Sequence, residues 1–299
     1  MKFAYKWILL KVENLEIVIL MKKTMYSQIE LKSSAISKSI VFLAVFGLSV
    51  IFSAGTRLYA ESNFSHEVFD SLLQKNVKDG KVFYKGFINV YFQDYLYRIS
   101  IANPETWARD EQLAFWLNTY NACVISNMVG YGSIPSPLKK KGFFDMDKFK
   151  VAGMDLTLNQ IEDEIIRTNF PTYLVHFGIV CAALGCPKLK DRAFCQSTVK
   201  KQLESNMREY ISSPMGARLD RQTKTLKLSK IMEWYHKDFD IGGGKKKLIE
   251  VMIPYLKPED AEFVKANKAV IAVDYFDYDW TTNETDQKPA PAVIKPYCK

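Results

Sequence analysis

Apolar positions recur at three- and four-residue spacing over most of this chain and crowd into an unbroken run at one place. Phe64, Val68, Leu72 and Leu73 predict a helix that the turn at Asp79-Gly80 ends. Residues 82–87 read as a short extended segment, and residues 89–100 as a second amphipathic helix. Asn103-Pro104-Glu105 has the form of a helix start, with proline and an acid in the first turn. The helix predicted beyond it, 105–129, carries one apolar stripe at Leu113, Leu117, Tyr120, Val124 and Met128. A second stripe holds Ala114, Asn118, Asn121 and Ile125. A helix apolar on most of its sides is a central one. Asn118 and Asn121 then project together from a buried helix, and buried amides need partners. They either bond loop backbone or line a site.

Further on, Phe149 to Val151 and Met154 to Leu156 flank Ala152-Gly153, a two-residue hairpin signal. Thr157 followed by Gln160 fits a capping box for a helix through Thr168. Glu162 lies in the first turn of that helix, where the helix dipole favours a negative charge. The crowded run comes next: residues 174–180 are almost all aliphatic or aromatic and predict a strand buried on both faces, broken only by His176. Cys181 and Cys186 bracket the turn after it. Beyond lie a helix at 199–211, a hairpin around Leu219 and Leu226-Lys227-Leu228, a short helix capped by Ser229, helices at 245–255 and from Pro258, and a last strand at 269–273. The expected architecture is α+β, a single domain over 61–283 with the central helix packed on a small mixed sheet. Residues 284–299, polar and proline-rich, are expected to form a disordered tail.

Charge changes this picture only at the N-terminus. The formal net charge is +8, but residues 1–60 carry +5 of it and the remainder only +3. A clustered basic face is what nucleic-acid binding requires, so no nucleic-acid partner is expected. Within 1–60, Lys32 and Lys38 precede an apolar run from Ile40 to Phe52. Ser53, Ala54 and Gly55 follow, with a second cleavage point after Ala60. That order is a secretory signal, too short in its apolar part for a membrane span, and Met25 gives it an ordinary length. The protein is therefore expected to be exported to the periplasm or cell envelope, touching the membrane only through the signal.

Export permits disulfides. The five cysteines leave at least one thiol unpaired, and neither they nor the three scattered histidines have metal-ligand spacing. No metal and no cofactor is called for. Cys181 and Cys186 admit three readings: a disulfide across a reversal at Ala183-Leu184, a catalytic or redox thiol, or two inert buried thiols. A thiol nucleophile at Cys181 would take His176 as base and Glu162 or an asparagine as orienter. If the strand ran straight, however, five residues would span roughly 16–17 Å, against the ~3 Å a nucleophile and base require. His176 itself is either a core histidine bonded to a neighbour or an acid or base working with Glu162 or the Asn118/Asn121 pair. His66 and His236 read as solvated, and Trp116, Tyr120 and Trp280 as core aromatics.

Several stretches together resemble a known family. Arg109 to Ala122, reading Arg-Asp-Glu-Gln-Leu-Ala-Phe-Trp-Leu-Asn-Thr-Tyr-Asn-Ala, is similar to the signature helix of the family called domain of unknown function 547. His176-Phe177 with Cys181 and Cys186-Pro187 resembles its His-and-two-Cys motif. Leu158-Asn159 with Ile161-Glu162, Leu228-Ser229-Lys230-Ile231 with Trp234-Tyr235 and Asp238-Phe239, and Tyr278-Asp279-Trp280 with Asn283 extend the likeness. Members often carry Asn just before the first motif cysteine, where Val180 stands here. They also often have a His near the Glu162 position, where Asp163 and Glu164 stand. The resemblance implies no settled reaction. Two classes of function remain: an exported hydrolase or acyl transferase acting on an envelope component through His176 with a Cys or carboxylate, and a non-catalytic envelope module that binds a peptide, glycan or protein.

Overall fold

Thirteen consecutive buried residues, Leu113 to Ile125, form the middle of helix Arg109–Tyr131, around which the first core is built. The computed structural model describes residues 64–240, 243–290 and 293–298. The leader expected over 1–60, with its signal, cleavage points and Met25, lies outside them. In chain order the described residues begin with α1 (Glu67–Asn76), the two-residue strands β1 (Val77–Lys78) and β2 (Lys81–Val82), and α2 (Val90–Ile101). Asn89 caps α2 by accepting from the Phe92 amide at 3.0 Å. The central helix is α3 (Arg109–Tyr131), with Asp110 and Glu111 in its first turn, where the helix dipole stabilises them.

Strands β3 (Phe149–Val151) and β4 (Met154–Leu156) pair antiparallel about Ala152 and Gly153, both at positive φ, as a tight right-twisted hairpin requires. The capping box at Thr157 forms as expected. The Thr157 amide donates to Gln160 Oε1 at 3.1 Å and the Gln160 amide to Thr157 Oγ1 at 3.2 Å. The helix it starts is wound as a π-helix over Gln160–Arg167, a rare form that recurs at functional sites. Next come α4 (Val199–Ile211), β5 (Ala217–Asp220), β6 (Thr225–Ser229), α5 (Lys230–Trp234), α6 (His236–Asp240), α7 (Gly244–Met252), α8 (Pro258–Ala266) and β7 (Ala272–Phe276). Strand β6 pairs antiparallel with β5 and parallel with β7, giving a mixed sheet. The described residues form one α+β domain of helices with three small sheets. None of its helices is long and apolar enough to cross a membrane.

Three expectations change. Residues 174–180 are not a strand: Tyr173–Phe177 form a 3₁₀-helix and the chain then runs irregularly through the core to Cys186. An apolar run of this length suits any fully buried segment, so periodicity could not choose between a strand and a tight helix. The central helix does not rest on the mixed sheet. It packs on helical neighbours within one apolar core, while the sheet closes a second core with α4, α7 and α8; Leu174 and Tyr278 pack against both. The tail is tied down: Gln74 exchanges two hydrogen bonds with the Lys295 backbone, Arg192 donates to Pro296 O, Tyr297 to Phe194 O, and Cys298 is disulfide-bonded to Cys195. Composition alone did not register these cross-links.

Candidate functional site

A buried irregular segment must satisfy its backbone polar groups without a ladder, and side chains do so here. Asn121 donates to Gly178 O at 2.8 Å and accepts from the Val180 amide at 2.9 Å. Asn118 makes the same two-way bond to the Phe194 backbone, at 2.9 and 2.8 Å. Asn206 donates to Phe177 O at 3.0 Å and the Tyr210 hydroxyl to Gly185 O at 2.6 Å. Asn121 therefore holds this segment and Asn118 the backbone at Phe194, and neither lines the cavity that His176 borders. As candidate catalytic residues they are corrected to positioning residues, because both polar atoms of each amide are already used on backbone.

The cavity holds about 280 Å³ and is walled by Glu162, His176, Cys181 and Cys186 with Asn159 and a set of aromatic rings. Of the residues expected to share a site, His176, Glu162 and the two cysteines do converge. His176 lies in the 3₁₀-helix and Cys181 beyond the irregular run that follows it, and both border the cavity. The His176 Nε2 is hydrogen-bonded to Asp238 Oδ2 at 2.8 Å. Asp238 is gripped in turn by Arg167, whose Nε and Nη2 donate to its two oxygens at 2.7 and 3.1 Å. The His176 bond, reinforced by Arg167, holds the Asp238 carboxyl far below the usual carboxylate range. Tyr235 stacks on the imidazole with ring centroids 4.0 Å apart, and the Arg167 guanidinium lies over the other end of the contact, 4.9 Å from the same Tyr235 ring. The remaining ring nitrogen, His176 Nδ1, is buried and has no protein partner.

Glu162 comes from the π-helix. Its Oε2 accepts from the Tyr120 hydroxyl at 3.2 Å, and Tyr235 also reaches it. Burial raises its pKa above the ordinary value, against the opposing pull of Tyr235, His176 and Tyr120. Burial likewise raises the phenols of Tyr120 and Tyr278, so both stay protonated donors.

Cys181 and Cys186 are joined, with Cα atoms 6.3 Å apart. Cys181, a candidate nucleophile on the sequence, is therefore no resting thiolate. The Tyr278 hydroxyl sits against both sulfurs, 3.2 Å from Cys181 Sγ and 3.0 Å from Cys186 Sγ. Among the described residues the only free thiol is Cys123, buried in α3, where burial pushes its pKa up. The described residues contain no cluster of His, Cys, Asp or Glu side chains arranged to hold a metal ion.

Other residues depart from expectation. Tyr120 and Trp280 line the cavity instead of serving only the core. His66 is buried beside Tyr95, 2.6 Å from its hydroxyl, and burial, then the Arg98 charge, lower its pKa to about 3. The sequence did not mark Asp238, Arg167 or Tyr235 as site residues. Asp238 stands 62 positions from His176, and its motif, Trp234-Tyr235 with Asp238-Phe239, was the one available signal.

No curated protein and no solved structure matches the chain. The family model described as "Protein of unknown function, DUF547" matches residues 104–211. That span takes in Glu162, His176 and both cavity cysteines, but stops short of Asp238 and the Trp234, Tyr278 and Trp280 wall. Through those residues, and the signature helix within them, residues 104–211 match the DUF547 family.

Proposed function

We propose that the chain is an exported hydrolase or acyl transferase acting on a cell-envelope component, with His176 as the working base and Glu162 as its acidic partner. The observation that carries this reading is the state of the His176 ring: one nitrogen is fixed on an ionised, Arg-clamped carboxylate, while the other is buried without a hydrogen-bond partner, in a residue that borders the cavity. A carboxylate on one imidazole nitrogen sets the tautomer and stabilises the imidazolium formed when the other takes a proton. Glu162, raised towards its protonated form, is the complement, since two groups with pKa values pushed apart divide acid and base roles between them.

The corresponding reaction starts with Nδ1 removing a proton from water, or from an acceptor hydroxyl, as its oxygen attacks an acyl carbon. Glu162 then gives its proton to the leaving group as the acyl bond breaks. His176 next passes its proton to the Glu162 carboxylate through the bound solvent, restoring both groups. With water as acceptor the products are an acid and the released alcohol or amine. The Cys181–Cys186 and Cys195–Cys298 disulfides support an oxidising compartment and hence export. They also favour a carboxylate over a thiol as the partner of His176.

The test is turnover of a panel of acylated envelope glycans and peptides by purified protein, followed by mass spectrometry, with His176→Ala and Glu162→Gln in parallel. A product made by the parent and lost in both variants is expected. Equal turnover by His176→Ala would sink the assignment. The non-catalytic reading is favoured by a different observation, the aromatic wall described next, and survives if ligand binds but nothing turns over.

A further inference from the structure

Three of the rings that line the cavity are in mutual contact. Trp234 lies 4.9 Å from Tyr278 and 5.8 Å from Trp280, and Tyr278 lies 4.8 Å from Trp280, all between ring centroids. Helix α5 buries Ile231 and Met232 yet leaves Trp234 46% exposed at the cavity, an unusual position for so large an apolar side chain unless something covers it. The Tyr278 hydroxyl is turned onto the two cysteine sulfurs, so it is the ring that borders the open space.

The lining also includes Asn159, Glu162 and His176, and among the described residues no Lys or Arg lines the cavity. A pocket without a cation is poorly suited to a phosphate or carboxylate ligand. Trp234 and Trp280, inclined only 31° to each other, form the flattest part of this lining, a surface that a sugar's C–H face can cover; a quaternary ammonium, which aromatic rings also attract, is the competing ligand in the test. What fits is a neutral ligand with one flat face of C–H bonds and an edge of hydroxyl or amide groups.

We propose that this pocket binds an uncharged hexopyranose unit of an envelope glycan, its C–H face against Trp234 and Trp280 and its hydroxyl or acetamido edge towards Asn159 and Glu162. This rests on the reading of the cavity as the working site, and it adds the substrate class. An acylated or acetamido sugar so placed would bring its acyl group to the side of the cavity that holds His176.

The experiment is calorimetric titration of the full exported chain with oligomers of N-acetylglucosamine, oligomers of glucose, choline and a neutral tripeptide. It is done on the parent, Trp234→Ala and Trp234→Phe, with circular dichroism confirming the fold of each. One of the two saccharide series should bind the parent. Trp234→Ala should weaken that binding about tenfold or more, a loss typical of removing one stacking ring, while Trp234→Phe restores most of it. Failure of both saccharides to bind, a preference for choline or the peptide, or undiminished binding by Trp234→Ala would each overturn the proposal. Because binding is read without turnover, sugar binding with no catalysis counts only against the enzymatic reading. Turnover of a non-sugar substrate without sugar binding counts only against this one.

Discussion

Nε2 of His176 lies 2.8 Å from Oδ2 of Asp238, although the two residues belong to different elements 62 positions apart. The bond leaves the ring one free nitrogen and one orientation. Asp238→Asn should keep the fold but allow the wrong tautomer, because an amide can donate to Nε2 as well as accept from it. We expect kcat on whichever substrate is found to fall by about a hundredfold or more with KM little changed, as for other carboxylates that orient a catalytic imidazole. Steady-state kinetics that showed only a KM effect would place Asp238 in binding instead.

The two disulfides should differ in their contribution to stability. Cys181–Cys186 closes a separation of 5 residues and Cys195–Cys298 one of 103. By loop entropy these correspond to about 2 and about 4.7 kcal/mol respectively. Cys298→Ser should therefore shift the denaturant midpoint clearly more than Cys186→Ser. Peptide mapping without reduction should recover both pairs, and Cys123 should resist alkylation until the chain unfolds. Early labelling of Cys123 would contradict its burial.

Asn121→Ala strands the buried Gly178 carbonyl and Val180 amide, whereas Asn118→Ala strands only the Phe194 amide, since the Phe194 carbonyl keeps the Tyr297 hydroxyl. The cost expected is about 2–4 kcal/mol for Asn121→Ala and about 1–3 kcal/mol for Asn118→Ala, read from chemical denaturation. A loss of activity with unchanged stability would instead return these residues to the site.

Glu162 makes the fold sensitive to pH. Because its pKa is raised from 4.5 in the folded chain, the stability associated with it is fully present below about pH 4 and is lost as pH rises through the folded value. Glu162→Gln keeps an acceptor for the Tyr120 hydroxyl and removes that loss. We expect Tm to rise at pH 7–8 and to be nearly unchanged at pH 4. A higher Tm for the parent at neutral pH would mean that Glu162 is stabilised as the anion.

Local signals were legible along the chain wherever one short stretch sets its own conformation. The capping box at Thr157 and Gln160, the hairpin about Ala152-Gly153, the bounds of helix Val199–Ile211 and the all-round burial of the central helix follow from spacing and turn chemistry, and they appear in the structure as read. The place of the site was legible too, since a histidine and two cysteines in an apolar run are costly unless paired. The rest was decided by contacts between distant residues. Whether 174–180 became strand or 3₁₀-helix depended on which groups would satisfy its backbone. The answer came from Asn121 and Asn206, on helices far off in sequence. The orienting Asp238 and the aromatic wall exist only once their segments are brought against the first core, and the Cys195–Cys298 bond only once the tail is laid along it. Spacing along one segment carries no information about which remote side chain completes a hydrogen bond, stacks on a ring or oxidises with a partner thiol, because these energies depend on separation in space and not along the chain.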